Sequence, residues 1–588
     1  MVARHEPALP EVTLSKSNWR VLLMAIPGLV VLSCGKSTVS STSDGGGGTA
    51  GTRVSGGGAG GGAAGNGGTL STGGSAGSGG GAGSSGSTAS TGAASGCAPI
   101  LTLVDTSAPD HVVGTGTSAS CTDTAAQTTL ALGGKITFNC GGPATITVTK
   151  TIALPINLDT VIDGGGLVTL DGGGSVRILS FTDPDYRKSR VTVTLQRLTL
   201  QNGKSTGTAI PTAPAPCSQG TDVDGSGSAI SIRNGVLHVI DSTFAHNRAP
   251  TLGPDVGGAL SALGSLEVKV QGSTFIDNSA SNSGAIYMLN SDLAVVDSTF
   301  SGNQALGNGE NSVDTSKCSV RDGEIGNGGN AAAIGIDGGD DGDDVFCGDT
   351  FAGNTANELG TVSRTPDAAS HTTTFDRCTF DGNHAGSGGA LYFHNSTLTI
   401  TASTFSNNVA TGSGAIQADG TTFNFTNVTF FGNSATKGLG GAVSLFGNGG
   451  TLVNCTFANN TAPFGSGYFA AAIAGGTALT IRNTLFDGNT SQDCGAPMAC
   501  SDGQSTGDGN LQWPATHTVC TTADTKCTPT TTFADPALAE LGDNGGPSET
   551  CLPSTSSPAL GVGKNCPATD QRGMPRPSNN CAAGAVEP

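Results

Sequence analysis

The sequence predicts an all-β chain wound into a right-handed parallel β-helix, with a disordered N-terminal tether and a C-terminal cap. Three observations carry this: a unit that recurs nine times, period-2 apolar alternation inside each unit, and Asn and Gly at fixed turn positions. The expected divisions are a signal segment over 1–33, a tether over 34–96, the β-helix over 97–500 and the cap over 501–588.

The unit is anchored by Phe244, Phe275, Phe300, Phe351, Phe380, Phe405, Phe430, Phe457 and Phe486, each followed three positions later by an asparagine, from Asn247 to Asn489. Five residues before each stands an apolar residue: Val239, Val270, Val295, Phe346, Phe375, Ile400, Phe425, Leu452 or Ile481. Eight of the nine have Thr immediately before them and eight have Ala five residues after. The gaps are 31, 25, 51, 29, 25, 25, 27 and 29 residues, so the unit is near 25, and the 51 is expected to conceal a degenerate coil.

Alternation such as Leu398, Ile400 and Phe405 reads as short half-buried strands. A further strand begins at Gly258-Ala259-Leu260, Gly284-Ala285-Ile286, Gly389-Ala390-Leu391, Gly414-Ala415-Ile416 and Gly441-Ala442-Val443. In a solenoid equivalent positions become ladders, so phenylalanines stack inside and turn asparagines bond to one another between coils, adopting left-handed or bridging angles. Roughly 13 coils between Lys135 and Asn489 give a rod on the order of 60 Å long, at about 4.8 Å per coil. Parallel strands wound this way are expected to be right-handed.

The N-terminus has a basic start (Lys16, Arg20), an apolar run from Val21 to Val31 and small residues before Cys34, the three parts of an export signal. Val31-Leu32-Ser33-Cys34 resembles the bacterial lipobox, which implies cleavage before Cys34, a lipid on its thiol and a membrane as partner. Gly35 resembles the pattern that sends such lipoproteins to the outer membrane, so the expected location is that membrane, surface-exposed or extracellular. From Lys36 to about Ser95 the chain is nearly all Gly, Ser, Thr and Ala, too poor in apolar surface to offset its ordering entropy. As a random coil, a tether of about 60 residues spans roughly 40 Å.

With 26 Lys and Arg against 45 Asp and Glu, the net charge of −19 opposes a phosphate backbone, and nucleic acid is not an expected partner. Sixteen cysteines less Cys34 leave an odd fifteen in an oxidising compartment. Proximity suggests Cys121 with Cys140, Cys318 with Cys347, Cys494 with Cys500 and Cys520 with Cys527, although spacing alone leaves connectivity open. The absence of a CxxC pair argues against structural zinc.

The Phe-x-x-Asn units with their Gly-Ala-Ile motifs resemble the polymorphic outer membrane protein repeat of bacterial surface adhesins, over about residues 225 to 490. Ile162-Asp163-Gly164-Gly165-Gly166 and the strands before it resemble the opening coils of secreted, pectin-lyase-like β-helix proteins. Asp543-Asn544-Gly545-Gly546-Pro547, Ser557-Pro558-Ala559, Asp570-Gln571-Arg572-Gly573 and Arg576-Pro577 resemble the tail of the choice-of-anchor class of surface proteins, from which Leu560 and Ala582 depart. These resemblances imply a non-catalytic display or adhesion protein, with a cell-surface or polysaccharide ligand along the rod.

The alternative is a polysaccharide lyase or glycoside hydrolase. Such chemistry needs paired carboxyl groups, or a base with cations, and no motif of that kind stands out, so no catalytic residue is assigned. No cofactor is required. Asp337, Asp340, Asp341, Asp343 and Asp344 form an acidic loop open to two readings, hard oxygen ligands for calcium or a solvated acidic turn. Asn395-Ser396-Thr397 and Asn427-Val428-Thr429 read as turn chemistry, and the phenylalanines as core, not a sugar platform.

Overall fold

The computed structural model describes residues 95–588, apart from 211–219, 308–327, 340–341, 367–370, 439, 464–469, 476–478, 493–495, 502–504 and 518–519. The chain is an all-β parallel solenoid of about 12 turns with almost no helix.

One coil shows how the repeat folds. Thr397–Thr401 lies in a first sheet, Thr404–Ser406 in a second and Val409–Ala410 in a short bridge strand. Ile416–Thr426 then opens in a third sheet and turns into the first sheet of the next coil. Successive coils pair in parallel, Ile400 with Phe425 and Phe405 with Phe430. The apolar residues five before each phenylalanine form one column of the first sheet, from Val239 to Ile481.

The nine phenylalanines form the matching column of the second sheet, each fully buried, with successive ring centroids 4.6–5.3 Å apart and planes within 15°. The asparagines stack beneath them: Asn383 donates its backbone N–H and its Nδ2 to Oδ1 of Asn408, at 3.1 and 2.9 Å, and Nδ2 also reaches the carbonyl of Phe351 at 2.9 Å. Buried amides are thereby satisfied without water. The left-handed residue is not this asparagine but its predecessor, for example His246, Asp277, Asn407 or Asn459, and elsewhere a glycine. At Gly353 and Gly382 an added Cβ would meet nothing within 4 Å, so positive φ, not crowding, selects glycine there.

The 51-residue gap hides no coil. Phe300 pairs directly with Phe351, their rings 4.9 Å apart, and Asn303 bonds to Asn354 at 3.0 Å. The flanking strands Gln304–Ala305 and Ile334–Gly338 keep their register with the coils on both sides, and the ladder is preserved because the pairing requires register only at the strands.

The chain ends are built differently from the coils. A single α-helix, α1 (Asp123–Leu130), is capped by Thr122 and buries Ala126 and Leu130 at the first coil, where the Cys121–Cys140 disulfide fastens it. Residues 95–110 form a strap running along the rod toward its first coils. At the other end Leu485 and Leu511 pack against Ala559 and Ala583 of the tail, which then continues up the flank as far as Ala402.

Candidate functional site

The most regular surface of the rod is the outer face of the first sheet over its C-terminal half. In a strand successive side chains point to opposite sides, so Leu398 and Ile400 fill the core while Thr397, Thr399 and Thr401 face outward. The next strand repeats this with Thr422, Asn424 and Thr426, and the previous one with Thr372, Thr374 and Asp376. The middle column continues in register as Thr374, Thr399, Asn424, Thr451, Thr480 and Thr506. The ten outward threonine and asparagine residues from Thr372 to Thr480 are half-buried, and Thr451 Oγ1 donates to Asn424 Oδ1 at 3.3 Å across two coils.

This grid differs from the same face further up the rod. There the outward positions are His238, Glu267 and Lys269, joined by ion pairs of 2.8 and 2.9 Å. On the grid the bordering charges are Asp376, which holds Arg377 at 2.8 and 2.5 Å and accepts Thr401 Oγ1 at 2.7 Å, and Arg482.

One long edge of the grid is lined by the two chain ends. The N-terminal strap is gripped by glutamine amides of the rod: Gln271 Oε1 accepts the N–H groups of Ile100 and Leu101, both at 2.8 Å, and Gln196 both accepts from and donates to Val104. Thr106 bonds to Asp163, whose carboxylate also takes Arg197 and Gln196. Burial by itself would raise the pKa of Asp163, but those hydrogen bonds outweigh it and hold its carboxyl below the usual carboxylate range. The strap begins where Arg377 donates to the carbonyl of Ser95 and where Cys97 is bonded to Cys347.

The tail occupies the same edge from the next coil onward. Gln571 bridges two coils, donating to Thr404 Oγ1 at 2.7 Å and accepting from Thr429 Oγ1 at 2.6 Å, while Asn454 and Asn483 hold Ala582 and Lys564 carbonyls. Thus Gln571, within the tail motif singled out by sequence, is a docking residue.

The acidic loop does not act as one unit. Asp344 is fully buried and ion-paired with Arg364, which is also fully buried, and Thr373 donates to it at 3.3 Å. Asp343 accepts the N–H of Thr372 at 2.7 Å, and Asp337 accepts that of Gly338 at 2.8 Å. Asp340, Asp341 and Cys34 lie outside the described residues. Among the described residues no three His, Cys, Asp or Glu side chains are grouped for a metal ion, and Asp344 is engaged by Arg364 in the core.

Of the four disulfide pairings expected from proximity, Cys121–Cys140 is present. Three are corrected: Cys347 pairs with Cys97, and Cys500 pairs with Cys527, leaving neither Cys318, Cys494 nor Cys520 its expected partner. Cys566–Cys581 closes the tail, while Cys378, Cys455 and Cys551 are buried thiols. Solenoid winding brings residues one coil or many coils apart into contact, so sequence proximity is a poor guide to pairing here.

Two cavities of about 80 and 10 Å³ near the C-terminal coils are lined by Leu511, Thr532 and Val562, and by Leu445, Ile473 and Cys500. Each is small beside the several hundred Å³ of an ordinary ligand pocket. At the same end Asp487 is pushed up to about 6, first by burial and then by the charge of Asp535 on the tail.

A family model described as a right handed beta helix region matches residues 366–510, a stretch that carries most of the hydroxyl grid. No curated protein matches. Among solved structures, the chain is similar to PfbA, a surface adhesin of Streptococcus pneumoniae, at 13% identity; the alignment covers 65% of this chain and 92% of that one, with a TM-score of 0.37.

Proposed function

We propose that this is a non-catalytic cell-surface display or adhesion protein that binds extended polysaccharide along the side of the solenoid, held to the outer membrane by a lipid on Cys34. The observation that carries the binding role is the registered grid of outward Thr and Asn side chains from Thr372 to Thr480. A polymer repeats its hydroxyl groups along its length, and a solenoid repeats its own groups at a fixed interval, so many weak hydrogen bonds act together. The export signal, the lipobox-like Cys34 and the disulfides, four of them between described residues, agree with an oxidising, extracytoplasmic location.

The test is a binding assay of the protein against a panel of plant, bacterial and animal polysaccharides, with new reducing or unsaturated chain ends measured in the same tubes. Polymer bound and left uncut is the expected outcome. New chain ends would replace this reading by the lyase or hydrolase alternative, and no binding to any polymer would remove the polysaccharide role.

A further inference from the structure

The chemistry of the grid narrows the ligand class, an inference that deepens the proposed polysaccharide binding and rests on it. We infer that the face takes an uncharged polysaccharide whose chains lie side by side in an ordered sheet, in preference to a polyuronate or a single soluble chain.

Charge is the first argument. A polyanion needs Lys or Arg set toward its carboxylates, as the strong pairings of such groups require. Within the grid the outward positions are uncharged, threonines and Asn424 with Val453 and Gly449 in the outer columns; its border contributes Asp376, with Arg377 already on that carboxylate, and Arg482 at the far end. The chain as a whole carries −19, which repels a polyanion at long range.

Strand preference does not account for this composition. Threonine suits strands in general, yet equivalent outward positions of earlier coils carry His238, Glu267 and Lys269. In the middle column Lys269 is followed by Ala294 and Val345, and hydroxyl or amide side chains then hold that position from Thr374 through Thr506.

Shape is the second argument. The grid repeats in two directions, about 4.8 Å from coil to coil and about 6.7 Å between alternate residues of a strand. Its middle column of six members extends about 24 Å at that coil spacing. On the coils of Thr397 and Thr422 the polar face is three side chains wide, more than one polymer chain occupies, and a flexible chain would lose conformational freedom on binding. Chains already packed in a sheet have lost it beforehand, so a rigid grid gains most from a rigid partner. No outward aromatic ring lies among the grid residues to stack on a lone sugar.

The experiment uses the full-length protein with insoluble cellulose and chitin, soluble cello- and chito-oligosaccharides, and soluble polygalacturonate, each at low and high salt. Thr399→Glu and Thr451→Glu place a charge at two separate points of the middle column, and thermal melting verifies that each still folds. Retention on an insoluble polymer that is indifferent to salt, and that falls about tenfold or more in either folded variant, is the expected result. Polygalacturonate or soluble oligosaccharide bound as tightly as the insoluble polymer overturns the inferred class while leaving the proposed function in place. Retention unchanged in both variants overturns the assignment to this face. If none of the polymers binds, the inference falls, and binding elsewhere in the wider panel decides whether the proposed function falls with it.

Discussion

A single phenylalanine in this rod is held between two others, and that sets the cost of losing it. Phe405 stacks on Phe380 at 4.7 Å and Phe430 at 5.1 Å, with backbones on either side fixed by strand pairing. Phe405→Ala should therefore cost about 3–5 kcal/mol, since the neighbouring coils cannot collapse into the void. Hydrogen exchange should show lost protection in those coils first; unchanged protection would contradict the stacking. The buried pair of Asp344 and Arg364 makes a sharper case. Asp344→Asn removes a carboxylate charge paired with a buried guanidinium and should cost about 3–5 kcal/mol, whereas Asp344→Leu combined with Arg364→Met should be near neutral or stabilising. Denaturant melts of the single and double variants separate the two outcomes. The sequence exposes the phenylalanines because they recur, but it presents Asp344 as one more aspartate in an acidic run. Only the strand parity, with Asp344 and Phe346 both inward, distinguishes it.

Among the elements, the strands were legible and the chain ends were not. Every column foretold from the repeat is present, because a period-2 pattern determines which residues enter the core and a turn residue determines where the strand stops. The strap and tail have no such pattern, since each contacts a different coil through isolated groups such as Gln271, Gln571 and Asn454. The hydroxyl grid was readable as alternation in Thr397-Leu398-Thr399-Ile400-Thr401, but its width emerges only when coils are stacked. The tail also carries a pH dependence. Asp487 has a raised folded value of about 6, so its contribution favours the folded, docked state at low pH and is lost as pH rises from the unfolded value of about 3.9 through 6. Asp487→Asn should remove that loss, leaving the melting temperature higher than wild type near neutral pH and flatter across this window. Wild type and Asp487→Asn melting in parallel across this window would rule out the raised value of Asp487.

For the molecule as a whole, sequence anticipated the solenoid and nearly its length, the difference of one turn arising from the 51-residue gap. Cys97–Cys347 crosses 250 residues of sequence, which no local reading could supply. That bond also determines how the rod responds to a pull. Ser95 sits beside Arg377, and Cys97 is tied to a coil near the middle of the stack. Tension from that side passes through the covalent bond into Cys347, so α1 and the opening coils, though next in sequence, lie off the line of force. The rod is gripped at its waist, where traction acts across the coils rather than unwinding them from one end, and where both halves are left as levers of similar reach.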